Sequence, residues 1–286
     1  MIGPDSKRVA VIGLGIIGSR SHAHLISSPW DVSCWNRTPK GLAGEAATPA
    51  DAIRGAGVIC LYLKDSPAVR DVMESIADHL VAGQVVLNHS TIDLETTLWL
   101  NGLCVSHDCR FLDAPFTGSK VAAGKGELVY YTGGDGELAA ELEPLLSVTS
   151  RARIHCGPVG AATVVKLATN LISACTVQAM AEALAIATRH GVPARCLAEA
   201  VAQNASASPL TAMKFPAMLD GNFETHFSLS NMGKDSRYML DLASSAGLVT
   251  PAITAVSARM EELCDAGLGD MDYSVLAKPY FPSQAS

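Results

Sequence analysis

The sequence predicts an α/β protein in two parts, a doubly wound parallel sheet over residues 1–156 followed by an all-α domain over residues 157–286. Three observations carry that prediction. Short β-branched runs alternate with helical patterns through the first half, a glycine-rich turn follows the first of those runs, and β signals stop near Gly157. Strands that alternate with helices pair in parallel, because each crossover helix carries the chain back to the end of the sheet where the previous strand began.

Each element follows from its local pattern. Strands are expected at Arg8 to Ile12, Val32 to Trp35, Val58 to Leu63, Val85 to Asn88, Arg110 to Asp113, Glu127 to Thr132 and Arg153 to Cys156. Helices are expected between them at Ile16 to Ser27, Ala68 to Leu80, Asp93 to Leu100 and Glu137 to Leu146. Beyond Gly157 only helical periodicity remains. A long helix runs from Ala161 to His190 and stops at Gly191 with Pro193 behind it. Further helices are expected at Arg195 to Gln203, Leu210 to Leu219, Leu229 to Ala246 and Ala252 to Cys264, and Pro279 to Ser286 read as a loose tail.

Composition removes several classes of function. The chain has 286 residues, 49% of them apolar, enough for a core in each part. Lys and Arg number 21 against 28 Asp and Glu, for a formal charge of −7, so no basic field invites a nucleic acid or an anionic membrane. Met1 to Lys7 is short and polar before the first strand, and a cytoplasmic location without membrane attachment is expected. The eight cysteines are scattered without a C-x-x-C pair and read as small hydrophobes. No metal site is expected, since His22 and His24 are too close on a helix to act as an i,i+4 pair and no Cys/His cluster exists. Histidines read as surface or core filler, with His89 and His226 falling near the candidate site.

Gly13, Leu14, Gly15, Ile16, Ile17 and Gly18 form a G-x-G-x-x-G between a strand and a helix. Glycines there permit a tight turn and close backbone approach, while the helix N-terminus meets a pyrophosphate, so the first part reads as a Rossmann-type dinucleotide site. An NAD site places a carboxylate at the end of the second strand. This chain offers Asn36, Arg37 and Thr38 instead, with Lys40 beyond and no carboxylate from Val32 to Gly44. A 2′-phosphate would find a guanidinium, a hydroxyl and an amide there, which favours NADP; the bland alternative for Arg37 is a solvated loop charge. Thr117, Gly118 and Ser119, after a strand end, offer hydroxyls and consecutive N–H groups to an anion, or simply make a loop.

Lys166 stands out in the long helix, where only Glu182 and Arg189 are otherwise charged. Glu182 lies about 24 Å further along the axis, beyond reach. A lysine between Val164, Val165, Leu167 and Ala168 either snorkels out of the helix end or serves chemistry. Its burial would lower its pKa toward the range where a general acid works best.

Taken together these residues resemble the β-hydroxyacid dehydrogenase family, which includes 3-hydroxyisobutyrate dehydrogenase and the glyoxylate/succinic semialdehyde reductases. The resemblance runs in order through the glycine-rich loop, Asn36-Arg37-Thr38, Ser90-Thr91, Asp113-Ala114-Pro115, Gly157 to Gly160, Lys166 with Asn170, and Lys234-Asp235. It implies Lys166 as catalytic residue, Asn170, Asp235 and Thr117 to Ser119 as substrate contacts, and Lys234 toward the nicotinamide, with Leu63, Lys64 and Thr91 completing the cofactor site. Lys166 and Asn170, at i and i+4, share a helix face that the resemblance turns toward an interdomain cleft.

Departures accompany the resemblance, with Thr117-Gly118-Ser119 where the family usually has Ser-Gly-Gly and Lys64 where a proline is common. Gly118 to Lys120 is closer to the glyoxylate/succinic semialdehyde reductase branch, and the segment from Thr38 to Thr48 is about eight residues short of the family pattern, cutting the second crossover helix to little more than a turn. The expected activity is NADPH-dependent reduction of a short carboxylated aldehyde to the hydroxy acid. The alternatives are an NAD-linked β-hydroxyacid dehydrogenase and a nucleotide-binding interaction module without catalysis. Imine reductases share the fold but generally lack the lysine. The apolar circumference of the long helix further suggests a homodimer or homotetramer.

Overall fold

The computed structural model describes residues 7–281. In the first part the order is β1 (Arg8–Ile12), α1 (Gly18–Ile26), β2 (Asp31–Trp35), α2 (Pro49–Ile53), β3 (Val58–Leu61), α3 (Ser66–Ile76), β4 (Val85–Asn88), α4 (Leu94–Ser106) and β5 (Arg110–Asp113). There follow β6 (Phe116–Thr117), α5 (Lys120–Gly124), β7 (Leu128–Gly134), α6 (Gly136–Glu141), α7 (Glu143–Leu146) and β8 (Ser150–Gly157). The helical part contains α8 (Ala161–Arg189), α9 (Ala194–Ala202), α10 (Pro209–Asp220), α11 (Leu229–Ser245) and α12 (Pro251–Leu263). The chain divides into two compact units between Lys166 and Leu167, so α8 starts in one unit and continues in the other.

The sheet runs in the order β2-β1-β3-β4-β5-β7-β6, with β8 beside β7. Its first five strands are parallel, and alternation explains how both faces are covered. Val9 and Val11 of β1, Val58 and Cys60 of β3, and Val85 and Leu87 of β4 enter one apolar cluster. Ala10 and Ile12, Ile59 and Leu61, and Val86 enter the other. These positions are apolar on both faces because helices cover both faces of the sheet. Past β5 the sheet turns mixed. β7 runs antiparallel to β5 and β6, and β8 runs parallel to β7.

Several expected elements change at their ends. The expected helix from Glu137 to Leu146 is two, because Pro144 opens α7 and cannot donate to the preceding turn. The expected helix after Asp93 extends to Ser106, with Asp93 accepting from Thr96 N at its start. β6 and α5 were not expected. The second crossover is indeed a short helix, the five residues of α2. Tyr273–Tyr280 forms a 3₁₀ segment in which Tyr273, Val275 and Leu276 are buried, so Pro279 and Tyr280 are not tail; residues 282–286 lie outside the described residues.

α8 is long and apolar enough to cross a membrane by composition alone. Ala174, Val177, Ala181 and Leu184 on one side of it enter the core of the helical unit, with Phe215, Met232, Met260 and Leu276.

Candidate active site

The glycine-rich turn is built as a dinucleotide site needs. Gly13 has φ +98°, and a Cβ there would lie 2.4 Å from Tyr62 O. At Gly18 a Cβ would meet Gly13 O at 2.0 Å, so no side chain can replace either. A Cβ on Gly15 would meet nothing within 4 Å, which is the space a close-approaching pyrophosphate uses. α1 starts without any side-chain cap, in contrast to α3, α4 and α11, whose Asp65, Asp93 and Ser228 each accept a backbone N–H. A helix N-terminus that no side chain caps suits an anion. On these observations the turn fits a dinucleotide.

Asn36 joins this turn to the end of β2. Its Oδ1 accepts Leu14 N at 2.8 Å and its Nδ2 donates to Thr38 O at 2.7 Å. Arg37 and Thr38 are exposed beside it. Leu63 N donates to Ser90 Oγ at 2.8 Å, tying together the segments after β3 and β4 that also carry Lys64 and Thr91. Under them His89 is buried, stacked on Tyr62 with centroids 4.5 Å apart and its Nδ1 2.7 Å from Ala114 O. Burial pushes its pKa down to about 4, so this histidine is a neutral core residue.

Thr117 lies in β6 and Gly118 follows at φ +131°, where a Cβ would press on Leu128. Ser119 caps α5, its hydroxyl oxygen accepting Val121 N at 3.2 Å. A hydroxyl that accepts in this way still has its proton to donate.

The start of α8 shows what the sequence could not. Asp113, at the end of β5 and 0% exposed, accepts Thr163 N at 2.8 Å and Thr163 Oγ1 at 2.9 Å. Thr163 Oγ1 also meets Thr97 Oγ1 of α4 at 2.9 Å. The aspartate therefore anchors the first turn of the helix three residues before Lys166. Burial pushes its carboxyl up to about 6, against the bonds from Thr163. Lys166 itself is buried, at 8% exposure.

In the helical unit Asn170 is also buried and donates through Nδ2 to Asp235 Oδ2 at 2.7 Å. Lys234 Nζ stands 3.1 Å from Asp235 Oδ1, an ion pair without hydrogen-bond direction. Asp235, grouped with the substrate contacts on the resemblance, is 0% exposed and orients Asn170 and Lys234. Lys234 also lies 5.2 Å from the ring centre of Tyr238. Among the described residues no group of three or more His, Cys, Asp or Glu could hold a metal.

Two family models match the chain. The family model for the NAD-binding domain of 6-phosphogluconate dehydrogenase matches residues 8–160, and that for NAD-binding of NADP-dependent 3-hydroxyisobutyrate dehydrogenase matches residues 160–280. The chain belongs to the NAD(P)-dependent β-hydroxyacid dehydrogenase family. As a member of that family it is an NAD(P)-dependent oxidoreductase. Glyoxylate/succinic semialdehyde reductase 1 of Arabidopsis thaliana is 27% identical over 278 residues, covering 94% of this chain and 96% of that protein. The mouse cytokine-like nuclear factor N-PAC is 26% identical over 283 residues, and the match spans only 52% of its length. In structure the chain resembles Mycobacterium tuberculosis 3-hydroxyisobutyrate dehydrogenase, with a TM-score of 0.89 at 22% identity over 96% of this chain and 99% of that one, a likeness of fold.

Proposed function

We propose that this family member uses NADPH to reduce a short aldehyde bearing a carboxylate, of the glyoxylate or succinic semialdehyde kind, to the hydroxy acid. The observation that carries the proposal is the arrangement on α8, where buried Lys166 lies one turn from Asn170, with Asp113 fixing the turn before them and Asp235 fixing the amide. The reduced nicotinamide, when bound, supplies hydride to the aldehyde carbon. Lys166 gives a proton from its ammonium group to the developing alkoxide, and its positive charge stabilises that oxygen beforehand. Water then restores the lysine proton. Asn170 meets the substrate with an amide plane already set by Asp235, and the Thr117 to Ser119 segment takes the carboxylate.

Gly13 to Gly18 hold the pyrophosphate in this reading, while Asn36, Arg37 and Thr38 take the 2′-phosphate. The family resemblance assigns Leu63, Lys64, Thr91 and Lys234 to the cofactor as well. The reductase relatives support the substrate class, and the absence of a carboxylate from Val32 to Gly44 supports NADPH. A second copy of the chain as partner is supported by Ile172 and Ile186, which are 64% and 63% exposed on α8.

The test is a panel of small aldehydes, with and without carboxylates, assayed with NADPH and NADH. The expected result is turnover of the carboxylated members with NADPH, since a site built to bond a carboxylate strands its donors on a neutral analogue. Oxidation of a β-hydroxy acid with NAD alone would favour the dehydrogenase reading, and no turnover with any member would favour a nucleotide-binding interaction module without catalysis. Lys166→Met should lower kcat by about 10² to 10⁴-fold and leave NADPH affinity near the wild-type value.

A further inference from the structure

The short segment between β2 and α2 is held by a single carboxylate. Glu45 Oε1 and Oε2 accept Lys40 N at 2.9 and 3.0 Å, and Oε2 also accepts Leu42 N at 3.1 Å. The hydrogen bond from Lys40 leads the effects that hold its pKa below the ordinary glutamate value. The rest of the segment is fixed from behind. Cys34 N donates to Gly44 O at 2.9 Å, Ala46 N donates to Cys34 O at 2.8 Å, and His22 Nε2 of α1 lies 2.9 Å from Ala43 O. Gly44 has φ +75°, and a Cβ there would lie 2.4 Å from Val32 O, so the chain can pass β2 this closely only with glycine at that point.

With about eight residues missing, no full crossover helix is present to fix the turn after β2, and the Glu45 carboxylate does so instead. The turn it closes begins at Lys40, and Arg37, Thr38 and Lys40 are all exposed just before or at it. Glu45 is also the first carboxylate after β2, where a carboxylate would repel a phosphate or compete for ribose hydroxyls. Its charge is instead met by backbone N–H groups.

We infer that Glu45 is a positioning residue for the 2′-phosphate of the cofactor, holding the turn that presents Arg37, Thr38 and Lys40 to it. This rests on the NADPH reading above and adds to it the residue that makes the abbreviated segment serve. The same carboxylate, freed from its backbone donors, would oppose the phosphate, so loss of the turn and loss of the phosphate contact go together.

Calorimetric titration of the purified full chain with adenosine 2′,5′-bisphosphate and with AMP separates the phosphate from the rest of the ligand. Glu45→Ala should weaken the bisphosphate by about tenfold, the worth of one charge-assisted contact, and leave AMP unchanged within error. Glu45→Gln, which keeps one acceptor oxygen, should recover part of that loss, and it serves as the folded comparison if the alanine variant is unstable. Bisphosphate affinity unchanged in both variants overturns the inference while leaving the cofactor reading in place. Equal losses for bisphosphate and AMP also overturn it, since Glu45 would then be a general structural residue. A wild-type protein that binds the bisphosphate no more tightly than AMP overturns the NADPH reading itself.

Discussion

Asp113 in the sheet unit and Asp272 in the helical unit are the same residue at the same depth, 0% and 2% exposed, yet they are held in opposite ways. Burial prevails at Asp113, raising its carboxyl to about 6 against the neutral donors of Thr163 and Asn88. Asp272 is also pushed up by burial, but Lys214 Nζ at 2.7 Å and further donors outweigh that, and its pKa falls below the ordinary value. Those donors are the backbone N–H groups of His226, Phe227 and Ser274 and the Ser274 hydroxyl. Lys214 has fewer partners, Asp272 and the face of Tyr273 at 4.2 Å, and burial holds its pKa below the usual lysine value. The carboxylate dominates the pair. Burial alone does not set the charge of an aspartate; the count and kind of donors around it do.

The largest way to break this contrast is Asp272→Ala, which strands a buried ammonium and several donors at once. It should cost about 3–5 kcal/mol in urea unfolding, and Lys214→Met should cost clearly less because the carboxylate keeps its other donors. A reversed order would mean that the lysine, not the aspartate, organises that junction.

The pH dependence sharpens the comparison, because the two groups pull stability in opposite directions. Asp113 has a folded pKa of about 6 against an ordinary 3.8, so its contribution is complete below about pH 4 and lost as pH rises through about 6. The amplitude is at most about 3 kcal/mol. Asp272 is lowered on folding, so its contribution is present above about pH 4 and lost as pH falls below that. Unfolding midpoints of wild type and Asp113→Asn between pH 4 and 6 check the first claim, the variant being expected to lose the slope.

At pH 7 the smallest stability effect belongs to Asp113→Ala, about 1 kcal/mol, because relief of a buried charge offsets the lost hydrogen bonds. Its kinetic effect should be larger than its stability effect, since the first turn of α8 loses its anchor three residues before Lys166. A variant with unchanged kcat would show that the helix start is fixed without the aspartate.

The sequence shows most of the sheet and little of these junctions. β1, β3 and β4 are legible because residues 9–12, 58–61 and 85–87 are buried apolar runs, whereas β5 shows only Phe111 and Leu112. Lys166 and the glycine-rich turn are legible because each breaks a local rule. Asp113 and Thr163 are 50 positions apart, and Lys214 and Asp272 are 58 apart, so no local pattern announces either pair. β6 and α5 are too short to show a period. The 3₁₀ segment hides because Pro279 reads as a breaker, although its neighbours Tyr273, Val275 and Leu276 are drawn into the core.

β2 is the outermost strand on its side of the sheet, and such a strand exposes unpaired backbone groups to other chains. Here Cys34 stands opposite Glu45 of the same molecule, donating its N–H to Gly44 O and accepting from Ala46 N. The abbreviated segment is thereby a guard against edge-to-edge polymerisation. Damage to it would surface as self-association during storage or heating, with the fold otherwise intact.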